Sequence, residues 1–255
     1  MISKIRAILK RSENIRLIII KIKYFLNSGL ERDAEIIKKM KFNTSVDVGA
    51  NNGYYTNLLL GVSKKVISFE PIHYLYKLNL RLFKNKNVVI YNVALGDKET
   101  FGKLNIPQNN DPESSLVNKF KNSIVQKVRI TTGDKLLKKI KKIDFIKIDV
   151  EGYEIFVLKG LKKTIYKSLP IFLIEIEKKH NKDYKKVFEH MNNLNYKIFY
   201  LDITKKLKLI KLENVSKFIK KNQSLKKNSN LNYMNNFWFI NIKSPIFYLK
   251  DNNYF

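Results

Sequence analysis

Cysteine is absent from the 255-residue chain, which removes disulfides, thiolate chemistry and Cys-ligated zinc from consideration. That fits a reducing compartment. Acidic residues are scarce beside basic ones: 22 Asp+Glu face 50 Lys+Arg, leaving a formal net charge of +28. Such an excess points to nucleic acid or an anionic membrane surface. It equally matches a coding bias, because the surplus is nearly all Lys, accompanies abundant Asn and Ile, and is spread along the chain. Both readings stay open. Long apolar runs are also missing, and nothing approaches the roughly 18 uninterrupted apolar residues of a membrane span. The best stretch, Ile15 to Leu26, is broken by Arg16, Lys21 and Lys23. Met1 to Leu26 reads either as a leading helix packed on the domain or as a basic amphipathic helix on a membrane. No clean apolar run ends in a small-residue cleavage site, so the expected location is cytoplasmic, with the inner face of a membrane as the alternative.

What is present suits one α/β domain with a modest extension. Hydrophobic residues make up 44% of the chain, with 14 Tyr and 16 Phe, enough for a sizeable core. From residue 44 short β-branched runs alternate with helical stretches. Strands are predicted at Ser45–Val48, Lys65–Phe69, Val88–Val93, Lys127–Thr131, Phe145–Val150, Ile171–Ile176, Tyr196–Leu201 and Asn236–Asn241. Helices are predicted to open at Tyr54 and to cover Ile72–Phe83, Tyr153–Tyr166 and Asp183–Asn193. Gly102–Ser115, polar and holding Pro107 and Pro112, reads as a loop with one hairpin. Lys205–Lys227 reads as a solvated Lys-rich insertion. The alternation predicts a mostly parallel sheet with helices on both faces. Ligands in such sheets bind at the carboxyl ends of the strands.

One loop carries the chemistry. Asp47-Val48-Gly49-Ala50-Asn51-Asn52-Gly53-Tyr54-Tyr55-Thr56 follows a strand and opens a helix, the setting of a nucleotide-type loop. Gly49 permits a tight turn and close backbone approach, and Gly53 sits where helix and strand must pack. Free N–H groups at the helix start can hold an anion. A dinucleotide fingerprint from Gly49 would need Gly at the positions of Asn51 and Tyr54, and no Gly-Lys-Ser/Thr follows to make a Walker loop. The remaining fit is a ligand bearing a carboxylate and an amine. Asp47 can accept from the ammonium, directly or through water, and S-adenosylmethionine offers both groups. Ala50, Asn51, Tyr55 and Thr56 are counted with the same site.

Glu70 ends the next strand beside Pro71, where a carboxylate can accept from both ribose hydroxyls; a cap or ion-pair role is the plainer alternative. Ala94-Leu95-Gly96-Asp97 follows the third strand. Leu95 is placed on the adenine ring and Gly96 or Asp97 at its polar edge, unless this is an ordinary Gly-Asp turn.

These pieces closely resemble the FkbM family of methyltransferases. The resemblance rests on DVGANNGYYT (47–56), FEP (69–71), NVALGD (92–97), SSL (114–116), IKIDVEGYE (146–154), Leu158-Lys159-Gly160 and a Pro-led strand ending in Glu175. It runs from about residue 44 to 202, with Asn236–Ile240 as a closing strand. It implies a Rossmann-like class I methyltransferase fold, S-adenosylmethionine as cofactor, and transfer commonly to a hydroxyl of a natural product or a surface glycan sugar. The domain plan is then a basic helical extension at 1–43, a methyltransferase domain at 44–243 with the insertion at about 203–233, and a tail at 244–255.

On the acceptor side, a hydroxyl nucleophile needs a base for its proton. Asp149 is the expected base or substrate orienter with Glu151 as helper, although acidic residues also favour a helix start. Glu175 is a second orienter, followed by Glu177 and His180. His180 has a pKa suited to a base, or is a solvated residue of a Lys-rich loop. Ser114 and Ser115 shape the pocket mouth or cap the next segment. No metal is expected, since Asp149 and Glu151 supply too few oxygen ligands. A nucleic-acid methyltransferase is the alternative motivated by charge, but Asp-Val-Glu-Gly stands where an Asn/Asp-Pro-Pro-aromatic motif would be. A non-catalytic cofactor-binding partner of a biosynthetic assembly is the alternative from another class.

Overall fold

In the computed structural model, residues 13–25, 32–107, 114–118, 122–223 and 233–244 are described. The chain opens with helices α1 (Glu13–Phe25) and α2 (Asp33–Ile37), then runs β1 (Phe42–Val48), α3 (Tyr54–Leu60), β2 (Ser63–Phe69), α4 (His73–Leu82) and β3 (Val88–Tyr91). A short β4 (Ala94–Leu95), β5 (Thr100–Pro107), β6 (Ser123–Thr131) and α5 (Gly133–Leu137) follow. Next come β7 (Phe145–Ile148), α6 (Glu154–Gly160), α7 (Lys162–Ser168), β8 (Ile171–Glu175), α8 (Tyr184–Asn193) and β9 (Tyr196–Leu201). The last elements are β10 (Leu207–Ile210), a 3₁₀ turn (Leu212–Asn214), α9 (Val215–Asn222) and β11 (Asn236–Asn241).

The main sheet has the order β10-β9-β11-β8-β7-β1-β2-β3. β3, β2, β1, β7 and β8 pair in parallel, while β11 runs antiparallel between β8 and β9. The chain moves outward from β1 to β3 and then returns to the other side of β1 with β7. That reversal opens a crevice at the carboxyl ends of β1 and β7, where α/β sheets bind ligands.

Alternation along the strands decides which side chains meet there. Val46, Val48, Ile146 and Ile148 join one core cluster with α6 and α8. Phe145, Leu173 and Trp238 join the cluster on the opposite face, with α2 and α3. Asp47, Lys147, Glu175 and Asn236, sharing the parity of that second face, therefore fall on one side of the sheet.

Several expected elements differ in extent. Residues 100–107 are a strand, not a loop: β5 pairs antiparallel with β6 in a second, three-stranded sheet with β4. The expected loop's residues 108–113 lie outside the described residues. The helix expected over Tyr153–Tyr166 is divided at buried Leu161, because Gly160 packs against the Gly96 carbonyl. The Lys-rich insertion is only partly solvated. It folds into β10 and α9 and buries Leu207, Ile210, Val215 and Ile219, while residues 224–232 lie outside the described residues.

At the N-terminus, α1 packs on the domain through Ile20, which is buried with Ile72, Leu75 and Leu78. Ala34 and Ile37 of α2 are buried, and Asp33 accepts a hydrogen bond from the Trp238 indole. Residues 1–12, and most of the expected tail at 244–255, lie outside the described residues. Among the described residues no helix is long and apolar enough to cross a membrane.

Candidate cofactor and acceptor cleft

The carboxyl ends of β1, β2, β7 and β8 border a cleft of about 240 Å³. One side is lined by Gly49, Asn51, Glu70, Pro71, Ala94 and Leu95; the other by Asp149, Glu151, Tyr153 and Glu175. All of these but Tyr153 are residues singled out in the sequence, drawn together from segments more than a hundred residues apart.

Gly49 is required by geometry. Its φ of +85° is left-handed, and a Cβ there would collide with the Asp149 carbonyl oxygen across the crevice. Asp149 N–H in turn donates to the Val48 carbonyl at 3.0 Å. The N–H groups that lead into the helix are engaged within the fold. Gly49 and Ala50 both donate to the Phe69 carbonyl, Gly53 to the Ala50 carbonyl, and Asn51 to Glu70 Oε2 at 2.6 Å.

Glu70 is buried and also accepts from Ile72 N–H at 2.7 Å through Oε1. Burial pushes its pKa up to about 7, against the lowering effect of those two backbone bonds. Each oxygen has a further lone pair, so the carboxylate can still accept from a diol. The loop is braced from outside. Asn79 Nδ2 donates to the Asn51 carbonyl at 2.7 Å, and the Tyr24 hydroxyl donates to the Asn52 carbonyl. Tyr24 also packs edge-on against Tyr54 and stacked with Phe83.

Other predicted contacts are redirected. Asp47 is buried behind the loop and is not in the cleft wall; its Oδ2 accepts from Thr56 Oγ1 at 2.6 Å. Burial raises its pKa to about 6. Asp47 and Thr56 thus pair behind the loop, because alternation along β1 turns Asp47 toward α3. Tyr55 presents its ring to the Lys147 ammonium 4.8 Å away instead of to the cleft. Gly96 faces Ile130 and Gly160, and Asp97 is exposed. Neither Gly96 nor Asp97 lines the cleft, and Tyr153 occupies the neighbouring wall.

The side of the cleft that holds Asp149 and Glu175 is a cluster of carboxylates around one buried cation. Lys147 is 1% exposed, with its Nζ 3.8 Å from Asp149 Oδ2, 3.7 Å from Glu175 Oε2 and 3.3 Å from Asn236 Oδ1. Asn235 Nδ2 donates to Glu175 Oε1 at 2.6 Å and to Glu177 Oε1 at 3.0 Å. His180 is buried, contrary to the solvated alternative, with Nε2 3.3 Å from Glu177 Oε2 and 3.5 Å from Glu151 Oε2. Glu151 holds a left-handed φ of +50°, a conformation rare outside Gly. Its carbonyl accepts from Ser115 Oγ at 2.7 Å.

Ser114 lines the cleft, while Ser115 also accepts from the N–H groups of Val117 and Asn118. Both alternatives for this pair therefore coexist. Glu154 closes the turn from within, accepting from Gly152 N–H at 2.7 Å and Asn181 Nδ2 at 2.6 Å. Burial raises its pKa to about 7.

Lys147, Tyr24, Asn79, Tyr153 and Asn235 were not identified from sequence. Only Lys147 carried a signal: a charged residue within the otherwise apolar stretch Phe145–Ile148.

Comparison with known proteins places these observations. No curated protein matches the chain. Among solved structures it is similar to methyltransferase FkbM from Methylobacillus flagellatus KT (TM-score 0.48, 15% identity), over 77% of this chain and 43% of that one. The chain thus spans less than half the length of that protein. It is also similar to an rRNA methylase from Streptococcus thermophilus (TM-score 0.47, 13% identity), covering 83% of this chain and 95% of that one. A third likeness is to TrmK from M. capricolum in complex with S-adenosyl-homocysteine (TM-score 0.43, 12% identity), over 83% and 67%. The fold is that of the Rossmann-like class I methyltransferases. The family model described as the methyltransferase FkbM domain matches residues 47–198, and the chain belongs to that family.

Proposed function

We propose that the cleft binds S-adenosylmethionine along its Gly49–Glu70–Leu95 side and transfers the methyl group to a hydroxyl oxygen, of a glycan sugar or a small natural product, held on its Asp149–Glu175 side. The observation that carries this reading is the meeting of a buried ribose-type acceptor, Glu70, with a wall of carboxylates across one crevice. When bound, the cofactor supplies an electrophilic methyl on a positively charged sulfur. Glu70 accepts from the ribose hydroxyls, Leu95 and Phe69 flank the base, and Gly49 lets the chain approach closely. Asp47 stands behind the loop and fixes α3 through Thr56.

Methyl transfer forms a carbon–oxygen bond to the acceptor as the carbon–sulfur bond breaks, with that bond's electrons remaining on sulfur. The acceptor's proton passes to a carboxylate, for which Asp149 is assigned; its side chain is 33% exposed and so reachable. Glu175 and Glu151 orient neighbouring hydroxyls, and Lys147 sits between Asp149 and Glu175. His180 acts through Glu151 and Glu177 as a positioning residue, since it is buried behind them. Alignment of the reacting atoms is the main contribution asked of such a site.

The net charge of +28 favours a nucleic-acid acceptor, but the acceptor wall itself is acidic. Phosphates beside Asp149, Glu151 and Glu175 would meet like charge, which supports a neutral, hydroxyl-bearing group at the methyl. The test is methyl transfer from labelled cofactor to a panel of sugars and hydroxylated small molecules, with Asp149→Asn beside wild type. Turnover in the variant is expected to fall by about 10²–10⁴ with cofactor affinity within a few-fold. Methylation of RNA by wild type, with every hydroxyl acceptor of the panel left unmodified, would replace the reading.

A further inference from the structure

The helix α1 has two apolar faces, and only one of them is used by the fold. Its inner face is anchored by Ile20 against Ile72 and Leu75, and by Tyr24 on the cofactor loop. Its outer face leaves Ile18 56%, Ile19 40% and Ile22 51% exposed, flanked by exposed Lys21 and Lys23. We propose that this outer face docks the protein on an anionic lipid surface, a role independent of which acceptor the cleft takes.

The pattern selects its occupant. Branched aliphatic side chains bordered by Lys are what an interfacial helix needs: apolar groups for the acyl boundary and cations for acidic headgroups. Nucleic acid would use the lysines, but isoleucine offers neither a stacking surface nor a hydrogen bond to a base. A second copy would bring another +28 to the interface, and three half-exposed isoleucines fall far short of the roughly 800 Å² per partner of a stable dimer. A bilayer needs no such area and is attracted by the charge. Tyr24 ties the same helix to the loop at Asn52, so the docked element is continuous with the wall of the cleft.

The experiment is co-sedimentation of the full-length protein with phosphatidylcholine vesicles, with and without phosphatidylglycerol, at physiological salt. Wild type is compared with Ile18→Ser/Ile22→Ser, with circular dichroism and light scattering as controls for folding and mass. Wild type should partition onto anionic vesicles far better than onto neutral ones. The double variant should lose about tenfold in partitioning, from the apolar area no longer inserted. An Ile22→Trp variant gives a second readout, a blue-shifted emission on anionic vesicles alone, should the serine variant fold poorly. Absence of wild-type binding, or equal binding by the serine variant, overturns the proposal and leaves net charge as the only attraction. A dimer that the serine variant converts to monomer, or RNA binding that it abolishes, overturns it in favour of those partners.

Discussion

The cofactor side of the cleft takes its contacts from one loop and the strand ends beside it, whereas the acceptor side is assembled from segments scattered over the chain. Glu70 is held by backbone N–H groups of Asn51 and Ile72. Asp149 and Glu175 are held by side chains: Lys147 from β7, and Asn235 from the segment entering β11. Backbone bonding tolerates changes of side chain, while a side-chain cluster changes whenever one member does. The same scaffold can therefore keep one cofactor and vary its acceptor.

Gly49 is where the two halves touch, and replacing it breaks both. Gly49→Ala places a methyl against the Asp149 carbonyl at a left-handed φ, with an expected stability loss of about 3 kcal/mol or more. Thermal melts and cofactor titration should fail together. Lys147→Met separates the halves instead. It leaves Asp149 and Glu175 facing each other without their cation, so kcat should fall about 10- to 100-fold while cofactor affinity stays near wild type. An equal loss of cofactor affinity would reduce Lys147 to a packing role.

Glu70→Gln probes the other half. With its pKa near 7, Glu70 gains its second acceptor oxygen as pH rises through neutrality. Affinity for S-adenosylhomocysteine should therefore increase from pH 6 to 8 in wild type, by several-fold, and lie flat in the variant.

Glu154 gives the smallest effect, on stability alone. Its folded pKa of about 7 lies above the ordinary 4.5, so the folded state binds the extra proton. That contribution is full below about pH 4.5 and is lost as pH rises through 7, worth roughly 3 kcal/mol at most. Glu154→Gln, with the Asn181 amide turned to accept, should melt with a shallower decline between pH 5.5 and 8 than wild type.

The contrast between the halves also explains what could be read in the sequence. The strand–loop–helix around Gly49 and the strand-end Glu70 are local patterns, and α3, β9 and β11 fall at their expected places. β5 was obscured because only Leu104 of Thr100–Pro107 is buried, which leaves no clear apolar face to read. The insertion's four core residues were hidden among lysines. The pairing of Asp47 with Thr56 is not visible in the loop's sequence, since it depends on β1 placing odd residues toward α3. The Lys147 cluster needed the register of three strands, β7, β8 and β11, before its members could be neighbours, and no local spacing encodes that. Tyr24 lies outside the family's own stretch, so nothing in the motif led to it.

Calorimetric titration of the purified full-length protein with S-adenosylmethionine and S-adenosylhomocysteine, beside Glu70→Ala, tests the central claim most directly. The account predicts saturable binding at one site by wild type, lost in a variant that circular dichroism shows to be folded. Folded wild type that takes up neither compound would contradict it.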